Sequence, residues 1–415
     1  MWLIVRMLWV LWLPQLVMAA EPLLTLDAAV EQALAGAPQI AAQDAAVEAA
    51  RAAGDRAGRL PDPELIVAID NLPVDSADQF SLTRDFMTMR RVGVMQSFTN
   101  GAKRSLARER GVVGIALADS ERGRTRFEVS QSVADAWVRR AASRQFEASL
   151  RELLPIAELA ANSARAALAT GRGSAGDALA ARATVGALQD RILGARFTGD
   201  LAQTDLQSWL REAATQPSAS LADFRERPLP SAALLDALDS HATQVVLQRG
   251  VDAARVDLAL AKAERRPDWS AEFSYAKRGP DFSNMVNLEF RVGLPLFPRH
   301  RQGAMAAEQR SRLTQTELAR EAQTRAHAAE VSRMRLAWHS ARERLELLER
   351  ERLPLARDGR QAAIAAYRAG RSELAPVAEA ITQEVELTEA QIELESEIAR
   401  AWSYLNYLTA FGSKP

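Results

Sequence analysis

The chain carries its own landmarks twice. Pro61-Asp62-Pro63 returns as Pro267-Asp268-Trp269, Val92-Gly93-Val94 as Val292-Gly293-Leu294, Ala136-Trp137 as Ala337-Trp338, Leu154-Pro155 as Leu353-Pro354, and Gly171-Arg172 as Gly370-Arg371. The offset, roughly 200 residues, is far longer than a solenoid unit, so each copy is expected to be a whole substructure that packs against the other. Any function then belongs to the doubled assembly.

The repeats are expected over residues 21–212 and 231–415, joined by a linker at 213–230 that is rich in Pro, Ser and Ala. Residues 1–20 hold a single charge, Arg6, then an apolar run from Met7 to Leu13 and small residues at Ala19 and Ala20. That pattern predicts a secretory signal peptide and an exported chain; the run is short for a membrane anchor and is broken by Pro14. The chain has no cysteine, which removes disulfides and leaves no thiol near the cleavage point for a lipid anchor. Its 52 basic and 53 acidic residues are interspersed, with a formal net charge of -1, so it offers no electrostatic footprint for nucleic acid.

Most of the sequence is Ala-, Leu-, Arg-, Glu- and Gln-rich, a composition of strong helix formers. One helix is expected over Leu26–Arg59, with Thr25 as its cap, and its counterpart over Ser231–Arg265. Long helical stretches follow from Lys103 to Ala169 and from Gly303 to Ala369, each roughly 100 Å if helical throughout at about 1.5 Å per residue. Pro155 and Pro354 are expected to mark a bend or junction common to both copies. After Gly171 and Gly370 the chain turns into a further helix, Gly176–Leu210 and Pro376–Leu408, so each copy ends in a long antiparallel hairpin.

Residues 63–99 and 268–297 break this pattern, and each window offers two strands, at about 63–70, 91–99, 268–277 and 285–297. Val286, Leu288, Phe290 and Val292 alternate with Asn287, Glu289 and Arg291; Trp269, Ala271, Phe273 and Tyr275 alternate with Ser270, Glu272 and Ser274. One apolar and one polar face with aromatics at strand ends suit a transmembrane β-barrel. Two soluble hairpins capping a helical bundle suit the same periodicity. If the strands do span a membrane, four cannot close a barrel, since the smallest bacterial examples need about eight; three chains would supply twelve.

At this point the residues resemble the TolC-like outer-membrane efflux factor family over essentially the whole chain after residue 20. Its members are similar in their tandem duplication, in two strands per copy, and in a Tyr-x-x-Gly-x-x-Ser/Thr-x-x-Asp/Glu-Val/Leu segment at each hairpin turn. Leu168, Gly171, Ser174 and Asp177 follow that spacing in the first copy, and Tyr367, Gly370 and Val377 in the second, where Glu373 and Pro376 depart from it. The stretch from Asp70-Asn71-Leu72-Pro73 through Ser81-Leu82-Thr83 to Arg90-Arg91 looks like the cobalt–zinc–cadmium and copper/silver branch.

The resemblance implies a mainly helical fold with a small β part: a homotrimer whose twelve-stranded barrel sits in outer-membrane lipid and continues into a periplasmic α-helical barrel. It implies docking to a periplasmic membrane-fusion adaptor and an inner-membrane RND transporter, no catalysis and no cofactor. Multidrug efflux and type I secretion share the architecture; a pore-free periplasmic coiled-coil scaffold is the reading from another class. Under the family reading, Gly171, Arg172, Gly173, Ser174, Asp177, Gly370, Arg371, Ser372 and Glu373 are the expected adaptor contacts, with turn glycines and free N–H groups at the helix start. Asp177, Glu379 and Glu384 are candidates for a cation-attracting entrance, against a plain solvated helix face.

A metal site within the chain is not expected: His241, His300, His327 and His339 show no i, i+3 or i+4 pairing. Met87, Met89 and Met95 have the softness for monovalent copper or silver, but packing is their commoner role.

Overall fold

The computed structural model describes residues 24–210, 220–297 and 299–411. The expected signal peptide lies outside the described residues, as does the 213–219 part of the linker.

Local chemistry sets where the helices begin. Thr25 Oγ1 accepts the Ala28 N–H at 3.2 Å and caps α1 (Leu26–Gly36). The single helix expected over Leu26–Arg59 is two helices, because Pro38 opens α2 (Pro38–Arg56) and holds Ala37 in an extended conformation, φ -69° and ψ 124°. The single helix expected over Ser231–Arg265 also breaks. Ser231 accepts the Leu234 N–H to start α5 (Ala232–Asp236), a 3₁₀ turn follows at Leu238–Ser240, and α6 runs over Ala242–Ala263. The hydroxyl of Ser240 donates to the Ala237 carbonyl at 2.7 Å, one of the local side-chain bonds that compete with a continuous helix.

The two prolines expected to mark a common junction behave differently. In the first copy Pro155 sits inside α3 (Gly101–Ala169) without ending it. In the second, α7 (Gln302–Leu347) passes into a π turn, Leu348–Arg352, before Pro354 takes a place in the first turn of α8 (Leu353–Arg368). The Leu353 N–H donates to the Leu348 carbonyl, and this wider step brings the proline to a position where its missing N–H costs nothing. The returning arms of the hairpins are α4 (Ala175–Leu210) and α9 (Ala375–Ala410).

Four strands, β1 (Glu64–Asp70), β2 (Met89–Phe98), β3 (Trp269–Lys277) and β4 (Met285–Val292), form one antiparallel sheet in that order. The strand pairs of the two copies therefore join through β2 and β3, with Val94 opposite Phe273 and Phe98 opposite Trp269. The last strand stops at Val292, short of the expected Phe297. The Gly293 N–H still donates to the carbonyl of Asp268, the residue opposite it in the β3–β4 register, at 3.0 Å, but beyond it Pro295 has no N–H to offer.

The described residues divide into two compact units that cut across both sequence repeats: residues 24–36, 130–210, 220–228 and 337–403, and residues 37–129, 229–297, 299–336 and 404–411. The first unit holds both helical hairpins. Leu150, Leu153, Ala181, Leu188, Leu374 and Ile381 close its core near the turns. Farther along, Phe224 is fully buried with its ring edge-on to Trp137 at 5.8 Å and to Trp402 at 5.4 Å. Arg225, beside it, bonds Glu349 at 2.7 Å and the buried Glu395, whose other oxygen accepts from Gln145 at 2.9 Å. The second half of the linker is thus pinned by an aromatic plug and by an ion-paired node, and burying a side chain of the size of Phe224 contributes roughly 1.5–3 kcal/mol.

The second unit holds the sheet, α2, α5, α6 and the parts of α3 and α7 next to the strands. Lys103 at the start of α3 bonds Asp268 at 2.8 Å and Glu264 at 3.1 Å, fixing the exit of β2 beside the entry to β3.

Candidate functional site

Strand alternation gives the sheet two chemically opposite faces. One carries Leu65, Val67, Val94, Phe273, Leu288 and Phe290, every one more than half exposed. Register sets Val94, Phe273 and Leu288 in one row and Val92, Tyr275 and Val286 in the next. At the end nearest the helices Phe98 stacks on Trp269, centroids 4.0 Å apart; at the other end Arg90 lies opposite Lys277. Soluble monomers rarely leave a contiguous apolar face of more than a few hundred Å² in water. No described helix is long and apolar enough to cross a membrane.

The opposite face is polar and internally paired. Arg91 bridges Asp70 at 2.8 Å and Glu272 at 2.6 Å, and Arg291 bridges Glu272 at 3.3 Å and Glu289 at 2.7 Å. Gly93 belongs to this face opposite Ser274, so close that a Cβ on it would stand 2.4 Å from the serine Cβ. Met95 also lies here, its sulfur accepting from Arg291 at 3.4 Å. Met89 is six residues away along the same strand, about 20 Å at strand rise, so these methionines do not converge.

The hairpin turns are built alike. Gly171 and Gly370 take left-handed backbone, φ 71° and 69°. The Gly171 N–H donates to Leu168 O and the Arg172 N–H to Ala167 O; likewise Gly370 to Tyr367 O and Arg371 to Ala366 O. This is the Schellman arrangement, in which a residue without a Cβ lets the chain reverse while the last helical carbonyls stay bonded.

Beyond the turns the two copies part. Ser174 Oγ accepts the Asp177 N–H at 3.0 Å and donates to its carboxylate at 2.8 Å, so both residues are spent on starting α4. At the second turn Ser372 Oγ donates to the Glu373 carbonyl at 2.9 Å, and Leu374, 1 % exposed, anchors the helix start in the core instead. Burial pushes the Tyr367 phenol up, and the charge of Asp177 adds to the shift, which sets the first turn's acid near the second hairpin's tyrosine. Arg172, Arg371 and Glu373 are exposed, as is Gly171, while Gly173 is half-buried.

The three carboxylates expected at an entrance are not equivalent. Glu379 is exposed, Asp177 is held by Ser174, and Glu384 is 6 % exposed, bonded by Arg360 and 3.8 Å from Arg357. A buried carboxylate with two guanidinium partners projects little net charge.

The structure brings together two histidines that their sequence spacing keeps apart. His241 Nδ1 lies 2.8 Å from His327 Nε2, and His241 Nε2 lies 3.1 Å from the Leu234 carbonyl. The carbonyl must receive an N–H, so His241 Nδ1 is the acceptor and His327 Nε2 the donor. A test for i, i+4 ligands cannot find a pair made by two elements meeting. Among the described residues no group of three or more His, Cys, Asp or Glu side chains is placed to hold a metal ion.

No protein-family model matches the chain, and no curated protein matches it. Solved structures do. The outer membrane protein VceC from Vibrio cholerae matches with a TM-score of 0.77 at 18% identity, over 92% of this chain and 96% of that one. CusC, solved to follow folding and transmembrane channel formation, matches with a TM-score of 0.78 at 18% identity, over 94% and 92%. The Campylobacter jejuni CmeC outer membrane channel matches with a TM-score of 0.73 at 12% identity, over 94% and 86%. A mainly helical chain with two long hairpins and one four-stranded antiparallel sheet, this protein has the fold of the TolC-like outer-membrane channels.

Proposed function

We propose that this chain is the outer-membrane channel of a tripartite efflux pump, a passive duct that catalyses nothing and takes its energy from an inner-membrane RND transporter. The observation that carries the reading is the two-faced sheet: one face apolar and exposed from Trp269 to Tyr275, the other ion-paired through Arg91 and Arg291. A water-filled barrel in lipid requires that inversion. The strands β1 and β4 are the edges of the sheet, and backbone groups at an open edge cannot remain unpaired in hydrocarbon. Three chains joined edge to edge give twelve strands and no edge, with the helical hairpins extending the tube into the periplasm.

The hairpin turns are the proposed docking surface for a periplasmic membrane-fusion adaptor. Exposed Arg172 and Arg371 occupy the same step of the same turn motif, which supports a pairwise, quasi-equivalent contact. Ser174 and Asp177 support it indirectly, by fixing the start of α4. Reversing both charges, Arg172→Glu with Arg371→Glu, is expected to weaken adaptor cross-linking with trimer assembly intact; unaltered cross-linking would refute their role.

For cargo we assign heavy-metal cations, on the likeness of residues 70–91 to the metal-efflux branch. With Glu384 paired, Glu379 is the exposed acid left to attract cations at the entrance. Deletion of the gene is expected to lower tolerance to copper, silver, zinc, cobalt or cadmium. Intact metal tolerance with lost tolerance to dyes and antibiotics would make the cargo a drug.

A further inference from the structure

Trp137 and Trp338 are the same residue of the two repeats, and both are buried, 0% and 7% exposed. Their indole N–H groups meet different ends. Trp137 Nε1 donates to the backbone carbonyl of Leu24 at 2.9 Å, in the stretch just before α1. The stretch just before the second repeat's first helix gives its Pro228 carbonyl to Trp402 instead, at 3.1 Å. Trp338 Nε1 is left with no acceptor among the described residues. A buried donor without an acceptor loses its hydration and gains nothing in return.

Beside Trp338 the surface opens into a depression of ≈ 360 Å³ lined by Arg225, His339, Arg342, Glu343, Glu346 and Glu349. The Arg342 guanidinium lies over the indole at 4.4 Å, and Arg225 brings a second buried N–H, its Nε, that also lacks an acceptor among the described residues. The depression therefore asks for acceptors. Its rim sets Glu343, Glu346 and Glu349 against Arg225 and Arg342, so it holds no surplus of positive charge to retain a free anion. A peptide carbonyl has the acceptor without the charge, and Leu24 demonstrates that one fits this indole position.

We propose that the depression at Trp338 is a contact between copies of this chain, in which backbone of a second copy supplies the carbonyl that Leu24 supplies to Trp137 within one copy. This rests on the multi-chain assembly proposed above. It makes each Trp338 site incomplete in a single chain, and it gives the two repeats different duties: the first closes on itself and the second closes on its neighbour.

The test uses the full chain, expressed in cells and extracted in mild detergent, with a photo-reactive benzoylphenylalanine in place of the exposed His339. Irradiation is expected to give a covalent dimer whose cross-linked peptide comes from a second copy. Trp338→Phe keeps the ring and removes the donor, and is expected to raise the concentration at which the assembly dissociates roughly tenfold. Trp137→Phe, whose donor is satisfied inside one copy, should leave that concentration unchanged. An intact assembly with no cross-link from position 339 and wild-type dissociation for Trp338→Phe overturns the proposal, as does a cross-link to a different protein. A chain that stays monomeric in the membrane fraction overturns the assembly itself.

Discussion

Acidification should loosen the chain at the His241–His327 pair. Both rings are buried, at 0% and 9% exposed, and both are neutral in the bonded arrangement: Leu234 O takes the N–H of His241, and His241 takes the N–H of His327. Burial pulls His327 down from 6.5 to about 4; His241 beside it adds to the fall and Glu330 opposes it. His241 is lowered as well, by burial first, with the Leu234 carbonyl opposing. Nearby Gln244 of α6 and Thr324 of α7 bond each other at 2.6 Å and carry no charge. The folded form therefore binds fewer protons than the unfolded form between these values. The stabilisation is complete above about pH 6.5 and is lost as pH falls from there through about 4. At about 1.4 kcal/mol per unit, the His327 gap corresponds to on the order of 3 kcal/mol. Urea midpoints measured from pH 7.5 to 4 for the wild type and for His327→Gln, which keeps a donor of similar size, isolate this contribution. The wild type should lose on the order of 3 kcal/mol more than the variant across that range. Parallel pH profiles would show that the buried pair contributes nothing to the pH dependence of stability.

The geometry sets three further outcomes. Arg225→Ala leaves the buried Glu395 without its cation and should cost about 3–5 kcal/mol in the unit that holds the hairpins, with much of the loss recovered when Glu395→Gln is added; additive losses in denaturation would contradict the node. Gly171→Ala and Gly370→Ala meet no neighbour within 4 Å, so each should cost only the left-handed backbone penalty, about 1 kcal/mol, without reducing expression. Gly93→Val, by contrast, drives a side chain into Ser274 and should deplete the chain from the outer-membrane fraction; wild-type levels there would show that the β2–β3 approach is looser than described.

The parts of this fold that can be read from the sequence are those whose cause is local. Alternation through Val286–Val292 and Trp269–Tyr275 needs only a period of two, and the turn at Gly171 and Gly370 needs only a glycine at a fixed step from a helix end. The break at Pro38 is equally local, since a proline constrains the residue before it, but the helical composition on either side masks it. The Pro155 and Pro354 pair misleads for the opposite reason: the same residue at equivalent places is accommodated by an unbroken helix in one copy and by a π turn in the other. What the sequence hides is tertiary. Glu384 reads as a surface acid until α8 brings Arg360 to it, Arg225 reads as linker until Glu349 and Glu395 enclose it, and His241 meets His327 only because α6 and α7 bring them together. The unequal fates of Trp137 and Trp338 are hidden in the same way, because the repeat makes the two residues look identical.

In the proposed assembly the exposed apolar face of the sheet lies in outer-membrane lipid and three chains close the barrel. Fractionated membranes extracted in mild detergent and run on a gel with and without heating test both parts at once. The expected result is an outer-membrane species of three chains that falls to monomer on heating; a monomer in the soluble periplasmic fraction would overturn both.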